Sequence, residues 1–296
     1  MTTNDTTDWT AITRRNARSV QTLVGWIFWD PGAVTRYEQL GLPGPLGYIA
    51  SRSAPFAGAG AEATIASFGS ISPDGIRLVF QHLATPSAFH AFWLARDAAV
   101  VDGLTAYAPD ARGGLEAFAD ELSDIVAKLP TVGRPFFAAH LAMEEPSSHL
   151  LRGWHAVNAL REWRGDTHWA IVASQGLSGP EASVLHNAWL GYDGDWLSLS
   201  RGNPAESIDA AWESLERKGL ASDRNVTNEG LALRQWIEDE TDRRTTVPWE
   251  WLGVDRSQQF AETFEPPCEL LLARVDVTAG ERYQPASRLR EPWRPH

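Results

Sequence analysis

The stretch Ala211-Trp-Glu-Ser-Leu-Glu-Arg-Lys-Gly-Leu-Ala221, followed after four residues by Val226-Thr-Asn-Glu-Gly-Leu-Ala-Leu-Arg234, sets the reading of the whole chain. Glu206–Lys218 has helical character and is closed by Gly219, a residue suited to the left-handed C-terminal position of a helix. Leu220–Thr227 reads as a two-stranded wing, and Glu229–Thr245 as a long helix. Working upstream, Trp196–Ser200 alternates like a strand, and Gly179–Ala188 reads as a helix. Pro146–Trp163 is a helix with Ser147 or Ser148 as its cap. Arg164-Gly165 reads as a break, with Asp166 capping a further helix that carries His168 to Ser174.

The first half repeats parts of this rhythm. The apolar stretch Val20–Trp29 ends at Asp30-Pro31-Gly32, and Ala33–Leu40 is helical. Ala61–Phe68 and Asp74–His82 form a helix-turn-helix pair. Ser87–Val100 and Gly114–Leu129 are longer amphipathic helices, the latter with Leu115, Phe118, Leu122, Ile125 and Val126 on one face. The expected fold is therefore mainly α: two degenerate winged helix-turn-helix-like halves with short β wings. The Pro130–Pro135 stretch divides residues 1–135 from 136–265, and residues 266–296 form a tail with room for a strand.

The order helix, helix, recognition-type helix, strand, helix, wing, long helix resembles MarR-type regulators. More closely, the chain resembles the SalK-like family of actinobacterial helix-turn-helix-related proteins. The residues that carry this likeness are Tyr48-Ile-Ala-Ser-Arg-Ser-Ala-Pro55, Trp154-His-Ala-Val-Asn-Ala-Leu-Arg-Glu-Trp-Arg-Gly-Asp-Thr-His168, and Glu238-Asp-Glu-Thr-Asp-Arg243 through Pro248-Trp-Glu-Trp-Leu-Gly253. They span roughly residues 14–265. The resemblance implies a bacterial protein that accompanies natural-product gene clusters.

Composition narrows the function classes. The 296 residues carry 26 Lys+Arg against 38 Asp+Glu, a net charge of −12, which disfavours sequence-independent nucleic-acid binding through phosphate neutralisation. The lone Cys268 excludes an internal disulfide framework and a Cys-rich metal site. Met1–Asp8 is polar, with order expected from about Trp9, and no leader is expected there. With no run of 18 apolar residues, no membrane span is expected either, and a cytoplasmic location follows. Fourteen tryptophans against five tyrosines suit both a large core and a pocket for a flat ligand.

A DNA reader normally presents Arg, Lys, Asn or Gln from its recognition helix. With Gly179–Ala188 taken as that helix in the second half, it holds Glu181 and neither Lys nor Arg. The first-half equivalent, Asp74–His82, holds only Arg77, and Arg224 in the wing is balanced by Asp223. Nucleic acid is thus an unfavoured partner.

The densest polar constellation lies instead at residues 155–168. His155, Glu162, Asp166 and His168 are the candidate proton-handling groups, with His168 placed by its cap in a first helical turn, where the helix dipole favours neutral imidazole. Arg161 and Arg164 are candidate substrate contacts; an ordinary Arg161–Glu162 ion pair is the competing reading. Tyr48 and Arg52 suit a carboxylate or phosphate clamp, against a buried arginine tying the halves together. Asp30 beside Trp26 and Trp29 suits a cationic or indole-like ligand. His82 with His90, and His140 with His149, lack metal-pair spacing, so no metal is expected. Phosphate loops and dinucleotide fingerprints are absent, so no nucleotide cofactor is expected. The sequence points to a homodimeric, cofactor-independent enzyme acting on a small aromatic or anionic molecule by cyclisation, isomerisation or decarboxylation. A winged-helix DNA-binding regulator and a non-catalytic ligand sensor are the alternatives.

Overall fold

The computed structural model describes residues 7–294; the reading of Met1–Thr6 as leaderless falls outside the described residues. In chain order the helices of the first part are α1 (Trp9–Gly25), α2 (Pro31–Gln39), α3 (Gly44–Ser53), α4 (Ala61–Phe68), α5 (Pro73–His82), α6 (Pro86–Tyr107), α7 (Pro109–Val126), α8 (Pro135–Leu141) and α9 (His149–Ser174). Then follow α10 (Gly179–Trp189), α11 (Trp196–Ser200), α12 (Ala205–Arg217), the strands β1 (Ala221–Ser222) and β2 (Asn225–Val226), α13 (Asn228–Arg244), α14 (Val247–Leu252) and α15 (Val254–Thr278). The fold is mainly helical. Its one sheet among the described residues is the antiparallel pair β1–β2, so the first half carries no wing.

Local chemistry explains many of the boundaries. Asp8 caps α1 by accepting from the Ala11 amide, and Ser148 caps α9 through the Leu151 amide. Ser178 and Glu181 form a reciprocal capping box at α10. Proline occupies the first turn of α2, α5, α6, α7 and α8, where its missing N–H leaves no helical bond unmade.

Three local readings are corrected. Arg164-Gly165 does not break the chain: α9 runs unbroken for 26 residues, about 39 Å at helical rise. A mid-helix glycine costs about 1 kcal/mol, which is outweighed by burying Trp163 on one side of it and Ile171 and Val172 on the other. Trp196–Ser200 is a helical turn rather than a strand, because Leu197 and Ser198 are both buried in succession, which a half-exposed strand does not allow. Residues 266–278 are helical, continuing α15 through Pro266-Pro267. The lost amide bonds are offset by an inward face of Phe260, Phe264, Cys268, Leu271 and Val275.

Two apolar cores result. The large one joins α1–α8, the first part of α9, and α14–α15, with α7 lying along α9 and α1 along α15. The small one is built from Ile171, Val172, Leu185, Ile208, Leu215, Ile237 and their neighbours on α10, α12 and α13. The cores divide within α9, between Trp163 and Ile171, downstream of the Pro130–Pro135 stretch at which the sequence suggests a boundary. They meet closely at Gly69 and Gly179: a Cβ on Gly179 would stand 1.9 Å from the Gly69 carbonyl oxygen. Gly69 itself has φ +62° and abuts the Trp169 ring. Across the same seam the Ser72 amide donates to the Arg201 carbonyl at 3.0 Å, and Asn203 Nδ2 donates to the Ser70 carbonyl at 3.2 Å.

Candidate functional site

Because α9 passes through both cores, its polar residues fall into three separate surroundings. The first centres on Glu162. Its carboxylate accepts from Arg52 Nη2 at 3.1 Å and pairs with Arg161 Nη1; Arg52 Nη1 reaches the Tyr48 hydroxyl at 3.3 Å, and Arg161 Nε donates to Gln21 Oε1 at 2.6 Å. Tyr48 and Arg52 sit one turn apart on α3, which is how one helix presents both to α9. The Arg52 guanidinium lies 4.3 Å from the Phe68 ring centroid and 5.2 Å from that of Phe136. Burial pushes the Glu162 carboxyl up, but Arg161 and Arg52 more than reverse this and bring it to about 2.

Asp166, one turn further along α9, behaves oppositely. It does not cap its own helix; its Oδ2 accepts from the Phe137 amide at 2.9 Å and so caps the start of α8. Burial raises its carboxyl to about 6, against the lowering effect of that amide, with the Glu162 charge adding to the rise. His140, at the end of α8, is forced toward about 4 by burial. Its Nδ1 is 2.8 Å from the Phe136 carbonyl, which can only accept, so Nδ1 carries the proton and Nε2 is left without a partner.

The second group joins α9 to α13. Arg164 Nη2 donates to Asp242 at 2.8 Å and to Glu238 at 3.5 Å. His168 Nδ1 stands 3.1 Å from Thr241 Oγ1, whose own proton goes to the Ile237 carbonyl. His168 is mid-helix rather than in a first turn, and burial, not a helix terminus, lowers it to about 4. Its side chain nevertheless keeps 19 % of its surface exposed, and Glu238 keeps 23 %. The third group lies on the far side: His155 Nε2 is 2.8 Å from Asp97 Oδ2, with Arg96 bonded to the same carboxylate and Trp93 against the imidazole edge.

The structure thus brings together Tyr48, Arg52, Arg161, Glu162 and Asp166. Arg164 and His168 form a neighbouring pair-set, and His155 stands apart. Asp30 is the buried N-cap of α2, bonded to the Gly32 amide and to Arg274. Trp26 is a core residue packed over Gly103, while Trp29 is half-buried against Tyr283, with ring centroids 4.1 Å apart. Sequence reasoning missed Asp97, Gln21, Arg201, Arg234 and His186. The acidic run Glu238-Asp-Glu-Thr-Asp242 was a signal for the α13 partners, since two of its members face α9. No described cluster of His, Cys, Asp and Glu is arranged to hold a metal ion.

The helix that directly precedes the wing is α12, which corrects the placing of the recognition position at Gly179–Ala188. Its inner face is Ile208, Ala211, Trp212 and Leu215, and its outer face is Glu206, Asp209, Glu213 and Glu216. Helix, turn, helix and two-stranded wing follow one another here in the order α10, α11, α12, β1 and β2. A family model described as a helix-turn-helix family matches residues 13–278. The chain belongs to that helix-turn-helix family. No curated protein and no solved structure matches it.

In this helix-turn-helix protein, the basic residues near the wing are already engaged. Arg224 bonds Asp209 and Asp195, the latter at 3.0 Å, and Lys218 bonds Glu181 and the Gly176 carbonyl. In the first part of the chain, Arg77 is held by Glu62 and Asp74. Of the four acidic side chains on the outer face of α12, Asp209 is paired with Arg224 and Glu213 with Arg217. No described helix is long and apolar enough to cross a membrane.

Proposed function

We propose that this helix-turn-helix-family protein is a cofactor-independent enzyme acting on a small anionic organic molecule by acid–base chemistry. The observation that carries the reading is the pair Glu162 and Asp166. Two carboxylates one helical turn apart are driven in opposite directions, one fixed as an anion and the other set near 6, where it exchanges a proton close to neutrality. Arg52 and Tyr48 hold and orient an anionic group, and Asp166 gives or takes the proton. Cyclisation, isomerisation and decarboxylation need little more than such oriented groups. His155 and His168 lie outside this arrangement, His155 held by Asp97 and His168 by Thr241.

The finer family reading belongs to the same proposal. The second half is a MarR-like winged unit of the SalK-like type, the first half a wingless counterpart, and the protein works in the actinobacterial cytoplasm on specialised metabolites, as a homodimer. The exposed Leu270 and Val277 on α15 suit pairing through a terminal helix.

The second reading, a DNA-binding regulator, is favoured by the family itself and by the helix–helix–wing order. Fluorescence anisotropy with labelled duplex DNA at low salt separates the two. The enzyme reading expects only weak binding without sequence preference. Sequence-selective, salt-sensitive binding that Arg224→Ala abolishes would overturn it. Turnover is sought by incubating the protein with a pooled set of small organic acids and following the pool by mass spectrometry. Asp166→Asn should leave the fold intact, because the amide oxygen still accepts from Phe137, and should remove turnover.

A further inference from the structure

Arg201 is out of place in a chain with 38 acidic residues. It follows α11 at the seam between the two cores, its own carbonyl fixed by the Ser72 amide. Its guanidinium has no carboxylate within ion-pair distance and no hydrogen-bond acceptor among the described residues, whereas Arg52, Arg96, Arg161, Arg164 and Arg234 each have a carboxylate partner. The ionisable groups near enough to act on it electrostatically are Tyr48, Arg52 and Arg234. Burial brings it down to about 10, the response of a cation that lacks a counter-charge.

Arg234, on α13, shows a related gap. Only 4 % of its side chain is exposed; Nη2 is ion-paired with Glu238 at 2.6 Å, but Nη1 has no partner. Its guanidinium lies 5.0 Å from the Trp189 ring centroid, and Arg290 covers the same ring at 3.9 Å. His186, on α10, lies near Arg201, Arg234, Glu238 and His168, and burial there favours its uncharged form. Two guanidiniums with unmet donors, the half-buried Arg201 and the buried Arg234, thus stand within electrostatic reach of a neutral imidazole and a phenol. Leaving the buried Arg234 Nη1 without an acceptor costs stability, and the half-buried Arg201 keeps its charge open to a ligand, although acidic residues that would fill both gaps are abundant elsewhere in the chain.

We infer that Arg201 and Arg234, with His186 and Tyr48, form an anion site at the seam between the two cores that receives the carboxylate or phosphate of a small organic ligand. Arg201 supplies a free guanidinium fork, Arg234 supplies Nη1, and the tyrosine and histidine complete the polar wall. The inference rests on the small-molecule reading above and gives it a head-group class. It is tested without turnover, so the two fail separately: absence of turnover with anion binding intact would refute only the catalytic step.

The experiment titrates the full chain with benzoate and, separately, with inorganic phosphate, following tryptophan fluorescence and Tm, with sodium chloride at matched ionic strength as control. A saturable effect of benzoate alone assigns a carboxylate, and of phosphate alone a phosphate. Arg201→Met should weaken the effective anion at least tenfold while its own Tm without anion equals or exceeds that of the parent. Arg201→Lys should recover part of the affinity, and Arg224→Met, away from the seam, should change nothing. Neither anion acting beyond sodium chloride, or an undiminished response in Arg201→Met, would overturn the inference. So would a lower Tm of Arg201→Met without anion together with an unchanged anion response, since that is the behaviour of a structural arginine.

Discussion

Acidification offers a quantitative test of the interior around α8 and α9. His140 has Glu162, Arg96 and Arg52 as its charged neighbours, and burial sets its folded-state pKa at about 4, against 6.5 for the free side chain. A depressed histidine binds its proton later in the folded state than in the unfolded one. Stability is therefore full above pH 6.5 and is lost as pH falls toward 4. At 1.36 kcal/mol per pKa unit, the loss from this residue alone reaches about 3 kcal/mol at pH 4. Protonation would also place an N–H on Nε2, where no acceptor stands. Asp166 opposes the trend: its carboxyl is raised from 3.8 to about 6, so it gains stability as pH falls through the same window. The measurement must isolate His140. His140→Gln keeps a donor for the Phe136 carbonyl and removes the titration. Urea denaturation of both proteins at pH 7, 6, 5 and 4 should show their stability difference shifting by about 3 kcal/mol in favour of the variant as pH falls. Parallel pH profiles would refute the account of His140 as a buried neutral imidazole.

Further outcomes follow from the same geometry. Gly179→Ala should destabilise by more than about 2 kcal/mol in thermal melts, because its Cβ would collide with the Gly69 carbonyl across the seam. Asp166→Asn should be more stable than the parent at pH 8, by up to about 3 kcal/mol, because a carboxylate raised toward 6 is costly to ionise above that pH; an unchanged or lower stability at pH 8 would contradict the raised value. Trp154→Phe should cost about 1–2 kcal/mol in urea denaturation, since it strips the Leu23 carbonyl of its 2.8 Å partner in the core.

The helical class, the wing and the long helix α13 after it are readable because Gly219, the alternation around it and the apolar spacing of the second half are local signals. The continuity of α9 was not, because Arg164-Gly165-Asp166 carries every local mark of a break and a restart. What overrides those marks is distant: Asp242 and Glu238 hold Arg164, and Phe137 takes Asp166 as the cap of another helix. The site followed the same division. Arg161, Glu162 and Arg52 could be singled out by type and spacing, whereas Asp97 and Gln21 came from α6 and α1 without any signal of their own. Trp196–Ser200 misled through its alternation, which over five residues a single buried turn reproduces. The recognition position shifts from α10 to α12 because Trp196–Ser200 is the short helix α11, which adds one helix before the wing.

The small core has one more property, which concerns how it can move. Its chain enters along the second part of α9 and leaves along α13, and these two helices lie side by side, clasped by Arg164 and His168. The small core is thus carried on a two-rod stalk instead of a flexible joint. Bending such a stalk would break backbone hydrogen bonds in both rods together, so the seam resists opening by rotation. Access to it is left to the segment that crosses outside. Beyond α15, Tyr283 packs on Trp29 and on Trp196, Gln284 Nε2 donates to the Gly25 carbonyl, Arg290 covers Trp189, and the Trp293 amide donates to Gln235 Oε1. This latch links one body to the other with few bonds, and it lies past residue 278, where the family match ends. Peeling it away requires no change in either core, so the segment can come and go while both cores stay folded.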